Sequence, residues 1–139
     1  MTLFLDSSVV LAACGSVAGA SREIFRCAPS NNWVLVATPY VIEEVLYNLP
    51  DLPPSASRDW AHLRPQLTLT DDVLTLDRPA VFEPAKDRPI LFSALAWADV
   101  LLTLDQVHFG NWMGRSFYDL QILRPGTFLE RERNAGRLR

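Results

Sequence analysis

Short apolar runs recur along this chain with helix-like segments between them: "TLFL", "WVLVA", "DVLLTL" and "DLQILRP". Runs this brief and this apolar suit strands buried on both faces, and such strands, joined through helices, pair in parallel. The pattern predicts an α/β fold in which a central, mostly parallel sheet is covered by helices. "SSVVLAAC", a glycine-containing break and "ASREIFRCA" supply two helices after the first strand. "TPYVIEEVLYNL" supplies another, with Thr38 as a candidate cap, Pro39 at the first helical position, and Val41, Ile42, Val45, Leu46 and Leu49 at helical spacing. The prolines of "PDLPPSAS" end it. "SRDWAHLRPQ" reads as a short helix and "RPILFSALAWA" as a buried one, with Pro89 in its first turn. Residues 66–84 are ambiguous; within them "QLTLT" and "VLTL" alternate like short strands. A last helix is expected around "GTFLERER". These elements make one domain over residues 1–133, followed by a polar basic tail, 134–139, expected to fray.

In parallel sheets, sites form beyond the carboxyl ends of the strands, and a right-handed crossover starts its helix at that same edge. Asp6 directly follows the first strand, Asp105 follows "VLLTL", and Asp87 opens the helix that feeds that strand. Each has a mundane reading. Asp6 and Asp87 suit helix caps, Asp105 suits a turn, and Glu43 and Glu44 suit a solvated helix face. Those readings leave the shared edge unexplained. Clustered carboxylates repel one another unless a cation or proton intervenes, so three or four of them favour Mg²⁺ or Mn²⁺, which take oxygen ligands. Periodicity does not choose between Glu43 and Glu44. At about 100° per residue they fall on opposite flanks of the apolar face centred near Val45 and Leu49.

The formal net charge of −3 argues against a module that coats nucleic acid electrostatically. It is compatible with an enzyme whose acidic pocket is filled by cations. No apolar run reaches membrane-span length, and "MTLFLDSSVV" lacks the basic start of a signal peptide. Cys14 and Cys27 have no metal-like spacing and read as buried free thiols in a reducing, cytoplasmic setting. Trp33, Trp60, Trp97 and Trp112 read as core or interface residues, Trp97 as firmly packed. His108, in the loop after Asp105, reads first as a surface histidine and second as a contact to substrate or a leaving group. Lys86 and Arg115 read equally as solvated or phosphate-facing cations. The basic tail, Arg131 to Arg139, fits RNA, an acidic partner segment, or neither.

Taken in order, "FLDSSVVLAA", "TPYVIEEVL" and "KDRPILFSALAWADVLLTLDQVHFG", continued through "LQILRPGTFLE", resemble the PIN-domain family. They look most like its small stand-alone prokaryotic members. No single piece is specific; the ordered set is. The resemblance implies a three-layer α/β/α sandwich and a metal-dependent ribonuclease, many such members being VapC-like toxins of toxin–antitoxin pairs. It implies that Asp6, Glu44, Asp87 and Asp105 are the catalytic residues and the ligands of Mg²⁺ or Mn²⁺. Glu44 fits the family glutamate better than Glu43 because Val45 and Leu46 follow it. Thr103 takes the place of the threonine in the family's T-x-D turn, and Asp99 that of a structural aspartate. Ser8 stands where a hydrogen bond to a carboxylate or a metal-bound water is expected. Leu104 departs from the small residue or glycine of many relatives. The implied partners are an RNA substrate, an antitoxin protein and a second copy of the chain, with no membrane. The rival reading is a non-catalytic PIN-fold binding or regulatory module. A phosphoaspartate receiver is weaker, because "FLDSSV" lacks its paired acid and "QILRPG" its lysine.

Overall fold

A computed structural model describes residues 1–75 and 87–139. Lys86, Leu76 of "VLTL" and the rest of the ambiguous segment up to Pro84 therefore lie outside the described residues. The elements are β1 (Thr2–Leu5), α1 (Ser7–Gly15), α2 (Ala20–Asn31), β2 (Val34–Ala37), α3 (Pro39–Asn48), α4 (Ser55–Leu63), β3 (Thr68–Leu69), α5 (Arg88–Trp97), β4 (Val100–Leu102), α6 (Gln106–Phe109), β5 (Ser116–Phe117), β6 (Leu120–Leu123) and α7 (Pro125–Asn134). Together they form a three-layer α/β/α sandwich of PIN-like type, as expected.

The sheet order is β3-β2-β1-β4-β6-β5. Among the described residues all pairings are parallel except β5 with β6. From β1 the chain builds outward through β2 to β3, then returns to the other side of β1 as β4 and builds outward again to β6. The direction reverses between β1 and β4. At such a switch point the flanking connections leave toward opposite faces, and a crevice opens beyond the strand ends. The residues just past β1 and β4 are Asp6 and Thr103 to Asp105.

The central strands are apolar because both faces are covered: Leu3, Phe4, Leu5, Leu101 and Leu102 are fully buried. Val9, Val10 and Ala13 of α1 and Ile90, Leu91 and Ala94 of α5 join the same core. Burying each large side chain contributes roughly 1.5–3 kcal/mol, which makes the switch-point strands a rigid base for whatever follows them. Trp33, at the start of β2, packs edge-on against Phe128 of α7 with ring centroids 5.0 Å apart. Asp99 accepts a hydrogen bond from the Thr2 amide at 2.8 Å and so extends the β1–β4 edge, the structural part expected of it. Among the described residues no single helix is long and apolar enough to cross a membrane.

Several local expectations need correction. "QLTLT" contracts to the two-residue β3, and residues 73–75 are not strand. The edge strand β5 was not foreseen. Trp97 is 44% exposed rather than firmly packed, and its indole N–H donates to the Asp71 carbonyl at 2.8 Å. The tail is held rather than frayed: Arg137 grips the buried Glu132 at 2.7 and 3.2 Å, and the Arg139 amide donates to Asn31 Oδ1 at 2.9 Å. Thr38 sits at the N-cap of α3, but its side chain makes no capping bond. Its Oγ1 is buried with no hydrogen-bond partner among the described residues.

Candidate metal centre

Asp6 is a buried carboxylate, 3% exposed, at the carboxyl end of β1. Its Oδ2 accepts hydrogen bonds from Ser8 Oγ and Thr103 Oγ1, both at 2.7 Å. Each hydroxyl is used twice: the Leu104 amide donates to Ser8 Oγ at 3.0 Å, and the Asp105 amide donates to Thr103 Oγ1 at 3.0 Å. The backbone after β4 is thus fastened to the residues after β1 through one carboxylate. Burial pushes the proton affinity of Asp6 up; bonds from Ser8, Thr103 and the Ser7 backbone pull it back, and the nearby charge of Asp105 raises it again. Leu104 does not disturb this turn, because only its amide takes part.

Asp87 and Asp105 meet through His108. Asp105 is the N-cap of α6, its Oδ1 accepting from the His108 amide at 3.1 Å. Its Oδ2 lies 2.8 Å from His108 Nδ1. The same nitrogen contacts Oδ2 of Asp87, which is 3% exposed at the start of α5. One ligand atom from each of Asp87, Asp105 and His108 lies within 4.8 Å of the others, a set that a single cation can span. His108 is therefore no bystander on a surface loop. Sequence reasoning missed it because nothing in the chain shows that position 108 faces position 87. Its one local signal was the Asp-x-x-His spacing across a single helical turn.

The glutamates separate. Glu43 is exposed, whereas Glu44 is half-buried with Oε1 out of contact with solvent. Glu44 is outside the Asp87–Asp105–His108 set. It shares with that set the surroundings of Tyr40, whose phenol is pushed up first by burial and then by the charges of Glu44, Asp87, Asp72 and Asp6. Asp72 is a further acid that sequence reasoning passed over. Its Oδ2 accepts from the Tyr40 amide at 3.1 Å, at the N-terminus of α3. Its Oδ1 is buried with no hydrogen-bond partner among the described residues. The strand-end rule that picked out Asp6 and Asp105 applies equally to the "DD" after β3, but that strand was not legible enough for the rule to be used.

The mundane cap readings divide in the same way. Neither Asp6 nor Asp87 makes a capping hydrogen bond from its side chain, while Asp105 does. Capping thus leaves two buried carboxylates unexplained. A groove of about 500 Å³ is lined by Leu104, Arg124, Ser16, Ser21, Thr127 and Glu130, and by none of Asp6, Asp87, Asp105 and His108. Arg115 is exposed in the turn before β5.

No family model and no curated protein sequence matches this chain. Among solved structures the chain is similar to one from the crystal structure of VapBC2 from Rickettsia felis, bound to a DNA fragment from their promoter. The likeness covers 88% of this chain and 97% of that chain at a TM-score of 0.61 and 13% identity. At that identity it is a likeness of fold.

Proposed function

We propose that the chain is a metal-dependent phosphodiesterase that cleaves RNA, acting in the cytoplasm as the toxin of a toxin–antitoxin pair. One observation carries this: three carboxylates, on Asp6, Asp87 and Asp105, gather at the switch point of a PIN-like sheet, with Glu44 on the flank. The structural neighbour, a VapBC2 complex, supports an antitoxin protein as partner. A second copy of the chain is the further partner we assign.

The donor set is rich in oxygen and suits Mg²⁺ or Mn²⁺. Asp87 and Asp105 would hold the cation, with Asp6 and Glu44 adding negative charge from either side. A bound cation would supply Lewis-acid stabilisation of the phosphodiester and a more acidic water. The chain does the rest. Ser8 and Thr103 fix the Asp6 carboxylate in one orientation. Burial makes Asp6 a better proton acceptor than an exposed aspartate, which suits it to take the proton of a water attacking phosphorus. Arg124 and the hydroxyls of the groove that Leu104 borders would offer donors to phosphates further along an RNA chain.

The non-catalytic reading is favoured by one fact. His108 stands between Asp87 and Asp105, and when protonated it relieves their repulsion without any metal. Cleavage of a mixed RNA pool in EDTA, Mg²⁺ and Mn²⁺ decides between the two. The enzyme reading expects cleavage with either cation, none in EDTA, and loss of at least ~100-fold in Asp87→Asn and Asp105→Asn. It also expects stabilisation by metal, about 2.7 kcal/mol at a hundredfold excess over the dissociation constant. A wild-type protein that neither cuts RNA nor gains stability from either cation is the scaffold.

A further inference from the structure

We propose that His108 is a metal ligand through Nδ1, and that this nitrogen makes the site select Mn²⁺ over Mg²⁺. The proposal rests on the metal-centre reading above and adds a residue and a selectivity to it. The geometry is local and constrained. Asp105 caps the single turn α6 and His108 lies three residues on within it, so their side chains come together at its N-terminal end. The amide of His108 is tied to Asp105 Oδ1, which leaves Oδ2 and Nδ1 side by side at 2.8 Å. Adjacent ligands on an octahedron with bonds of about 2.1 Å lie about 3.0 Å apart. The pair thus has nearly the spacing of two neighbouring vertices. Asp87 Oδ2 approaches the same nitrogen and completes a three-cornered set from two elements.

The chemistry of that third corner sets the preference. Mg²⁺ is a hard ion that favours oxygen and keeps its waters, so an imidazole in place of an oxygen costs it affinity. Mn²⁺ accepts the same octahedral carboxylate set, and although it stands lowest in the first-row series it is softer than Mg²⁺ and gives up less affinity to an imidazole nitrogen. Two aspartates and one histidine therefore form a site whose oxygens suit both ions and whose nitrogen suits one.

The test uses the full-length chain stripped of metal. Mn²⁺ binding is followed by loss of the free-ion EPR signal, and Mg²⁺ binding by competition with Mn²⁺. Pulsed EPR on the Mn²⁺ complex reads directly bound nitrogen. Wild type is expected to show nitrogen coupling of a bound imidazole and to bind Mn²⁺ the more tightly. His108→Ala is expected to lose the coupling and to weaken Mn²⁺ about tenfold or more, with Mg²⁺ changed by less than about threefold. His108→Gln, with an oxygen in reach, should move the preference toward Mg²⁺. A wild-type Mn²⁺ complex without nitrogen coupling overturns the proposal, and so do equal losses for the two ions in His108→Ala. The wild-type spectrum decides the matter even where a variant fails to fold. If neither ion binds, this proposal and the enzyme reading both fall. Nitrogen coupling without RNA cleavage leaves this proposal standing and removes only the enzyme reading.

Discussion

Thr103 donates its hydroxyl to Asp6 Oδ2 at 2.7 Å, joining residues 97 apart in sequence across the switch point of the sheet. Thr103 Oγ1 in turn accepts from the Asp105 amide at 3.0 Å, so one hydroxyl fixes both a buried carboxylate and the turn that carries Asp105. Thr103→Val keeps the shape and removes both roles. It should cost about 1.5–3 kcal/mol, the range for deleting a hydrogen bond to a charged buried group, while Thr103→Ser should cost less than about 1 kcal/mol. Denaturant unfolding in EDTA reads the difference. A loss in Thr103→Ser with none in Thr103→Val would mean that the methyl group, not the hydroxyl, matters here.

Tyr40 reports on the acids around it. Burial raises its phenol most, and Glu44 is the foremost of the charges that add to the effect. Glu44→Gln should therefore lower the Tyr40 pKa, and a bound divalent cation should lower it in the wild type, since either change reduces the negative field. Phenolate absorbance against pH measures this, with Tyr40→Phe assigning the component among three tyrosines. A Tyr40 titration indifferent to both changes would place Glu44 outside the site.

Much of the site was readable because strand ends are readable. A short apolar run followed by an acid identifies both the strand and the carboxylate beyond it, which is how Asp6 and Asp105 emerge from the chain. Asp87 followed from the helix start that Pro89 marks. What stayed hidden depends on distance across the fold. His108 meets Asp87 only after β4 and α5 are placed side by side, and no periodicity encodes that. Asp72 follows a strand of two residues, too short to leave a pattern. The β5–β6 hairpin was missed because its turn residues, Tyr118 and Asp119, are not the Asn-Gly or Asp-Gly that announce such a turn.

That turn carries its own prediction. Tyr118 and Asp119 both have positive φ, 46° and 69°, the conformation of a type I′ hairpin turn. An L side chain is strained there, and glycine is not. The Tyr118 ring packs on Phe117 with centroids 5.0 Å apart, so Asp119 is the position to change. Asp119→Gly should raise stability by up to about 1 kcal/mol, the strain relieved exceeding the chain entropy that glycine adds. A lower midpoint of thermal unfolding would show that the Asp119 side chain holds the turn by a contact worth more than the strain.

The cysteines should be inert while the protein is folded. Burial pushes the Cys14 thiol up to about 11, outweighing the pull of Arg22, with Asp59 adding to the rise. Cys14 is 2% exposed and Cys27 9%, and neither is in a disulfide. At pH 8 an alkylating reagent should modify Cys14 only as fast as the chain opens, and Cys27 sooner. Rapid stoichiometric labelling of Cys14 in the native protein would contradict its burial on α1.

Asp6 separates a carboxylate kept for a site from one kept for stability. Its folded-state pKa is raised above the unfolded value of about 3.9, with burial the largest cause. Between those two values the native state holds a proton that the unfolded state has released. The contribution of Asp6 to stability is therefore fully present below the unfolded pKa and is lost as pH rises through the folded one. Asparagine carries no such penalty, and its carbonyl oxygen still accepts from Ser8 and Thr103. Asp6→Asn should then be more stable than wild type at pH 7 to 8 in EDTA, and the gain should shrink as pH falls toward 4. Asp6→Ala, which leaves both hydroxyls and a cavity behind, should be less stable than wild type throughout. Thermal unfolding across pH makes the comparison. If Asp6→Asn is the less stable form at every pH, the carboxylate is a structural anchor. A gain that does not change with pH would mean that the protonation of Asp6 is not its source.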